Sequence, residues 1–214
     1  LVLEDGAGPV AISALPYAEI YAARRAFGDE SIRSPEDVLR AQIAAAKAHV
    51  PETARWIVVA HAFVTNCQPS ESERTLSVGT VETVPSSIFD GANYVALGHL
   101  HRPQIAGRDS IRYSGSPLAF GFDEAGTTKS MTIFDLDPDG QIVDLRSVAF
   151  QPLRHVREVM GHLADLIADA ANHPSNDYIR AILLDEGALI EPAAQLRPYY
   201  PNILQTLREK TREL

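Results

Sequence analysis

The stretch "NYVALGHLHRPQ", Asn93–Gln104, decides how this chain is read. Tyr94–Leu97 is a short apolar run of buried-strand type. It runs into Gly98 and then into two histidines separated by one leucine. Upstream, "RWIVVAH", Arg55–His61, is a second apolar run that ends in histidine and is expected to be covered on both faces. In sheets flanked by helices, ligand sites gather at the carboxyl ends of strands, where the chain leaves the sheet and side chains converge. An H-x-H pair in extended backbone sends both rings to one side, because side chains alternate with period two. Gly98 is expected to let the chain turn tightly just before the pair. Neutral imidazole is the commonest nitrogen ligand for zinc, manganese and iron. His61, His99 and His101 are therefore the candidate metal ligands. Any one of them alone reads as a satisfied polar group at a strand end; the reading rests on the three together. His49, His155, His162 and His173 lie on helical or loop segments and read as surface or packing residues.

Working outward, 45 % hydrophobic and 22 % charged residues in a chain of 214 describe ordinary globular material, one large domain or one domain plus part of another. The net charge of −9 argues against a domain that holds nucleic acid by a broad basic face alone. It does not exclude a nucleic-acid enzyme, because bound divalent metals contact phosphate themselves. No apolar run approaches the roughly 20 residues that span a bilayer, and no secretory signal is visible. The single Cys67 rules out an internal disulfide and fits a reducing cytoplasm, the expected location. The sequence opens on Leu1 inside strand-like residues, so the chain is expected to be a piece of a longer protein.

The pattern predicts a hairpin from Leu1–Glu4 and Pro9–Ala14 around Asp5-Gly6. A short helix follows over Tyr17–Phe27, ended by Gly28. Ser34-Pro35-Glu36-Asp37 is a helix start with an N-cap serine, proline at the first position and acids in the first turn. Val38, Leu39, Ile43, Ala46 and Val50 continue it at helical spacing up to Pro51. Asn66–Leu76 is polar loop. Ile111–Ser114, Ser130–Asp135 and Ile142–Val148 alternate as strands, with Asp137–Gly140 turning between the last two. Beyond Phe150 the composition shifts. Val156–Ala171 is expected as one amphipathic helix, Tyr178–Leu184 and Asn202–Arg208 as strands, and Ile190–Leu196 as a helix.

"VVAHAFVTN", followed by "SVGTVETVPSSIFDGANYVALGHLHRPQ" and "IRYSGSPLAFGFDEAGTTKSMTIFDL", resembles the SbcD-type DNA repair nuclease subunits of the calcineurin-like metallophosphoesterase superfamily. The resemblance is dense from Trp56 to Leu136 and looser outside it. G-H-x-H is common to the superfamily, whereas Y-x-G-S-P with F-D-E-A-G-x-x-K is narrower. The resemblance implies an α/β (α+β) fold, a four-layer α-β-β-α sandwich present in part. Residues 1–150 would be the second half of the nuclease domain, and 151–214 the start of a small α+β cap domain. It implies two divalent metal ions, manganese by family habit, with His61 and His99 serving one and His101 the other. It implies DNA as substrate, in double-strand-break repair, recombination and replication. An SbcC-type SMC-like ATPase is the implied partner, with a homodimer inside a heterotetramer and no membrane. The family's Asp-x-His, Gly-Asp and Asn-His-Asp motifs do not occur in these 214 residues and are expected upstream. No catalytic residue is therefore assigned in this chain. Three neutral imidazoles without carboxylates are expected to bind at most one metal weakly, and the isolated chain is expected not to cleave DNA. Arg102 and Arg112 are candidate phosphate contacts that read equally well as structural arginines. Ser114–Pro117 reads as a turn at the rim of the site. The rival readings are a phosphodiesterase or phosphatase acting on a small phosphoester, and a non-catalytic assembly module.

Overall fold

The computed structural model describes residues 1–73 and 83–209. It has mixed α/β content in two units, Leu1–Pro117 with Lys129–Phe150, and Leu118–Thr128 with Gln151–Leu214. A contiguous split at residue 150 leaves out the excursion at 118–128, which packs with the second unit. The part of the expected loop that falls on 74–76 lies outside the described residues.

The first unit opens with the hairpin of β1 (Val2–Asp5) and β2 (Gly8–Leu15). The Asp5 carboxylate accepts the Ala7 N–H at 2.8 Å and so closes its turn. Helix α1 (Ile20–Phe27) stops at Gly28, whose φ of 64° is a conformation glycine adopts without strain. Helix α2 (Pro35–Lys47) begins with a complete capping box. The Ser34 hydroxyl accepts the Asp37 N–H at 3.1 Å, and the Asp37 carboxylate accepts the N–H groups of Arg33 and Ser34 at 2.9 and 3.0 Å. The Arg33 N–H, then the Ser34 hydroxyl, hold that carboxyl below the usual carboxylate range. Ser34→Ala is expected to destabilise the protein by about 1 kcal/mol in urea unfolding at neutral pH. The Asp37 contribution is present above the usual carboxylate pKa and disappears as pH falls through its lowered folded value. The stability gap between the wild type and Asp37→Asn should therefore shrink as pH falls below about 4.

The remaining elements of this unit are β3 (Arg55–His61), β4 (Phe63–Val64), β5 (Thr83–Val84), β6 (Tyr94–Gly98), β7 (Gln104–Ala106), β8 (Arg108–Tyr113), β9 (Ser130–Leu136) and β10 (Ile142–Ala149). Six strands form one sheet in the order β1-β2-β3-β6-β8-β7. Its four central strands are parallel, so β2, β3, β6 and β8 all end at the same edge. On one face Trp56, Val58, Ala60, Val95, Leu97 and Ile111 pack with Leu39 and Ile43 of α2 and with Ile88 and Phe89. The other face departs from the expectation of two covered faces. Tyr94 stacks on Phe134 of β9 at 3.8 Å, and Asn93 fastens the β9–β10 turn by donating to the Gly140 carbonyl at 3.0 Å. Nearer the strand ends, however, Val59 remains 43 % exposed and Ile105 46 %. Val59, Ala96, Arg112 and Ile105 stand in one register row across this face.

The second unit holds β11 (Val156–Gly161), α3 (Leu163–Asn172), β12 (Tyr178–Leu183), α4 (Pro192–Leu196) and β13 (Ile203–Arg208). The single helix expected over 156–171 is a strand followed by a helix. Val156–Gly161 pairs in parallel with β12 along its whole length, and six ladder positions outweigh a helical spacing that α3 alone satisfies. The sheet runs β11-β12-β13, parallel throughout. Leu163, Leu166 and Ala170 pack on Ile179, Ala181 and Leu183, with Leu196 and Tyr200 closing the core. Arg180 lies 4.5 Å over the Phe122 ring and donates to Glu158 at 2.5 Å, which ties the 118–128 excursion to this sheet. Among the described residues no helix is long and apolar enough to cross a membrane.

Candidate metal centre

Because the four central strands run the same way, their carboxyl ends deliver Leu15, His61, Gly98 and Tyr113 to one edge. His61 closes β3 directly opposite Gly98. Its ring meets the His99 ring edge to face at 5.2 Å and the Tyr17 ring at 6.2 Å. His99 also meets Phe63 at 5.7 Å. Crowding by these neighbours and by Pro16 desolvates the imidazole of His61 and lowers its pKa. The neutral form, the one that can bind a metal, therefore predominates at neutral pH.

Gly98 acts differently from the expectation. Strand β6 runs through it, and its φ is not positive. A Cβ there would lie 3.3 Å from His61 Nδ1, so the glycine makes room for the neighbouring ring. The turn falls on His99, whose φ is 107°. A side chain held at positive φ costs on the order of 1–3 kcal/mol. His99→Gly is therefore expected to be more stable than His99→Ala by about 1 kcal/mol in thermal unfolding, the reverse of the ordinary order of these residues. A more stable alanine variant would show that the backbone here is unstrained.

The bend at His99 also undoes the shared direction expected for an H-x-H pair. The pair is not in extended backbone, and His101 goes to other partners. Its Nδ1 is 2.8 Å from the Ser72 hydroxyl, and its N–H donates to Glu73 Oε1 at 2.5 Å. Glu73 is held in turn by the hydroxyl and N–H of Ser70. Among the described residues no three His, Cys, Asp or Glu side chains form a group that could hold a metal. His61 and His99 are thus brought together, and His101 does not join them in a three-ligand set. Two neutral imidazoles at adjacent strand ends fit the nitrogen part of a transition-metal donor set; the carboxylate part is not among them.

Arg102 follows directly, half-buried, with its carbonyl accepting from the Gln104 side chain at 3.3 Å. Arg112 lies on β8 in the same register row as Val59, close enough to Tyr94 for its charge to oppose the rise that burial imposes on that phenol.

Sequence reasoning passed over Tyr113, the residue that holds the chain after His61. Its hydroxyl donates to the Ala62 carbonyl at 2.6 Å and accepts the Val64 N–H at 2.9 Å, all buried. Burial pushes the phenol far up, so it stays protonated. It also passed over Ser72, Glu73 and Lys129. Tyr113 and Lys129 sit inside the motifs "YSGSP" and "FDEAGTTK"; a lysine opening an apolar strand was the available signal.

Mixed α/β architecture with paired imidazoles at the carboxyl edge of a parallel sheet is the class that fold and site define. Residues 149–214 match the SbcD C-terminal family model, the type 5 capsule protein repressor C-terminal domain. The chain thus carries an SbcD C-terminal-type region.

Proposed function

We propose that this chain is part of a metal-dependent DNA nuclease subunit of SbcD type that hydrolyses phosphodiester bonds at DNA ends. The observation that carries the reading is the pairing of the His61 and His99 rings at 5.2 Å, in a chain whose residues 149–214 match the SbcD C-terminal domain. Divalent metal, manganese in this reading, supplies Lewis acidity and neutralises charge at phosphorus when bound. His61 and His99 would hold one ion, and His101, oriented by Ser72, would serve a second. The carboxylate ligands come from a segment outside this chain. Arg112, on the same sheet face as His61, would meet phosphate in this reading, and Arg102 is the second candidate. In the same reading the partly open row at Val59, Ala96 and Ile105 is covered by a second sheet, completing a four-layer sandwich. Residues 151–214 belong to a cap domain. The intact protein works as a homodimer with an SbcC-type ATPase in the cytoplasm.

The test is substrate preference of the intact protein with manganese. The reading expects release of nucleotides from end-labelled linear duplex DNA, lost on chelation. Turnover of a small aryl phosphodiester with duplex DNA untouched would replace it by a small-phosphoester enzyme. No turnover of either, together with no manganese binding, would replace it by an assembly module.

A further inference from the structure

Lys129 is 7 % exposed, and a buried ammonium is costly unless its donors are satisfied. Two of its partners are clear. Its Nζ donates to the backbone carbonyl of His101 at 2.9 Å and to Ser116 Oγ at 3.0 Å. The Ser116 N–H donates to the same His101 carbonyl at 3.1 Å. One carbonyl thus takes two donors, which uses both of its lone pairs. Ser116 is itself buried, at 8 % exposure. Between them Gly115, at φ 82°, lets the backbone lie against the turn; a Cβ there would sit 2.6 Å from the His101 oxygen and 2.9 Å from Pro103 Cδ. On the opposite side the His101 N–H is taken by Glu73. Both backbone polar groups of His101 are therefore held by parts of the chain distant in sequence. The strained His99 is two residues away, in the same turn.

We propose that Lys129 and Ser116 are positioning residues: the buried Lys129 ammonium and the Ser116 N–H clamp the His101 carbonyl, the Ser116 hydroxyl holds the ammonium in place, and together they fix the His99–Arg102 turn in the geometry that sets His99 against His61. The charge matters because an ammonium–carbonyl bond is stronger than a neutral one and resists the backbone relaxation that a positive φ at His99 favours. The clamp gives Y-x-G-S-P and the lysine of F-D-E-A-G-x-x-K a role apart from phosphate contact or nucleophilic attack. That it matters for metal binding rests on the function proposed above.

The test uses Lys129→Met and Ser116→Ala in the intact protein, with Ser34→Ala as a destabilised control whose hydroxyl caps α2 through the Asp37 N–H. Amide exchange over residues 98–104 is followed without metal, and manganese affinity is measured by calorimetry. Where the wild type binds manganese, affinity decides. A fall of about tenfold or more in folded Lys129→Met and Ser116→Ala, absent in Ser34→Ala, is expected; affinity unchanged in both would overturn the clamp. Where the wild type binds none, the metal reading fails and exchange decides. Faster exchange confined to 98–104 would uphold the clamp, and wild-type exchange would overturn it. Should Lys129→Met fail to fold, Ser116→Ala, which removes the hydroxyl that holds the Lys129 ammonium on the His101 carbonyl, decides alone.

Discussion

His61→Ala in the intact protein is expected to lower manganese-dependent cleavage of linear duplex DNA by on the order of 100-fold or more while leaving the fold in place. Loss of a group that merely orients a metal ligand already costs about 10- to 100-fold, so loss of a ligand should cost at least that. Stability should barely change. His61 lies at the end of its strand with much of its surface exposed, and substitutions at such positions stay within about 0.5 kcal/mol. The ring's neighbours Tyr17 and His99 are held by their own segments, so its removal does not open the core. The separation of the two effects is what makes the result informative. Equal cleavage by His61→Ala and wild type, with manganese affinity unaltered, would remove His61 from the metal centre and with it the functional reading of this edge.

Tyr113→Phe is expected to do the opposite, costing about 2–4 kcal/mol of stability. The substitution removes one oxygen and leaves the ring, so no cavity forms. It abandons two buried backbone groups, the Ala62 carbonyl and the Val64 N–H. Each stranded group costs roughly 1–3 kcal/mol. The side chain is 1 % exposed at the end of β8, with little room for a water to take the place of the hydroxyl. Because those backbone groups follow His61, the variant should also weaken manganese binding, through a loosened strand end. Urea unfolding measures the first effect. A cost under about 0.5 kcal/mol would mean that the segment after His61 relaxes to find other partners.

The two expectations divide along the line between what was legible in the residues and what was not. The apolar runs ending at His61 and Leu97 could be read as strands because such runs with abrupt polar ends have one sensible structure in a packed sheet. The capping box at Ser34, the left-handed stop at Gly28 and the Asp137–Gly140 turn were equally legible, since each is specified by hydrogen bonds or torsions within a few residues. The two-residue strands β4 and β5 carry no pattern long enough to read. Val156–Gly161 was misread because a strand and a helix joined at Gly161 and His162 share apolar positions, and only pairing with β12 decides between them.

For the site itself, residue order alone singled out His61, His99 and His101, because imidazoles at the carboxyl ends of apolar strands are a local signature. Which of them meet was decided by tertiary structure. Parallel pairing of β3 with β6 puts His61 opposite Gly98, and the absence of a Cβ there admits the ring. The positive φ of His99 then sends His101 to Ser72 and Glu73. Tyr113 and Lys129 act on backbone groups far away in the chain, and a hydrogen bond between distant segments leaves no trace in the order of residues on either one.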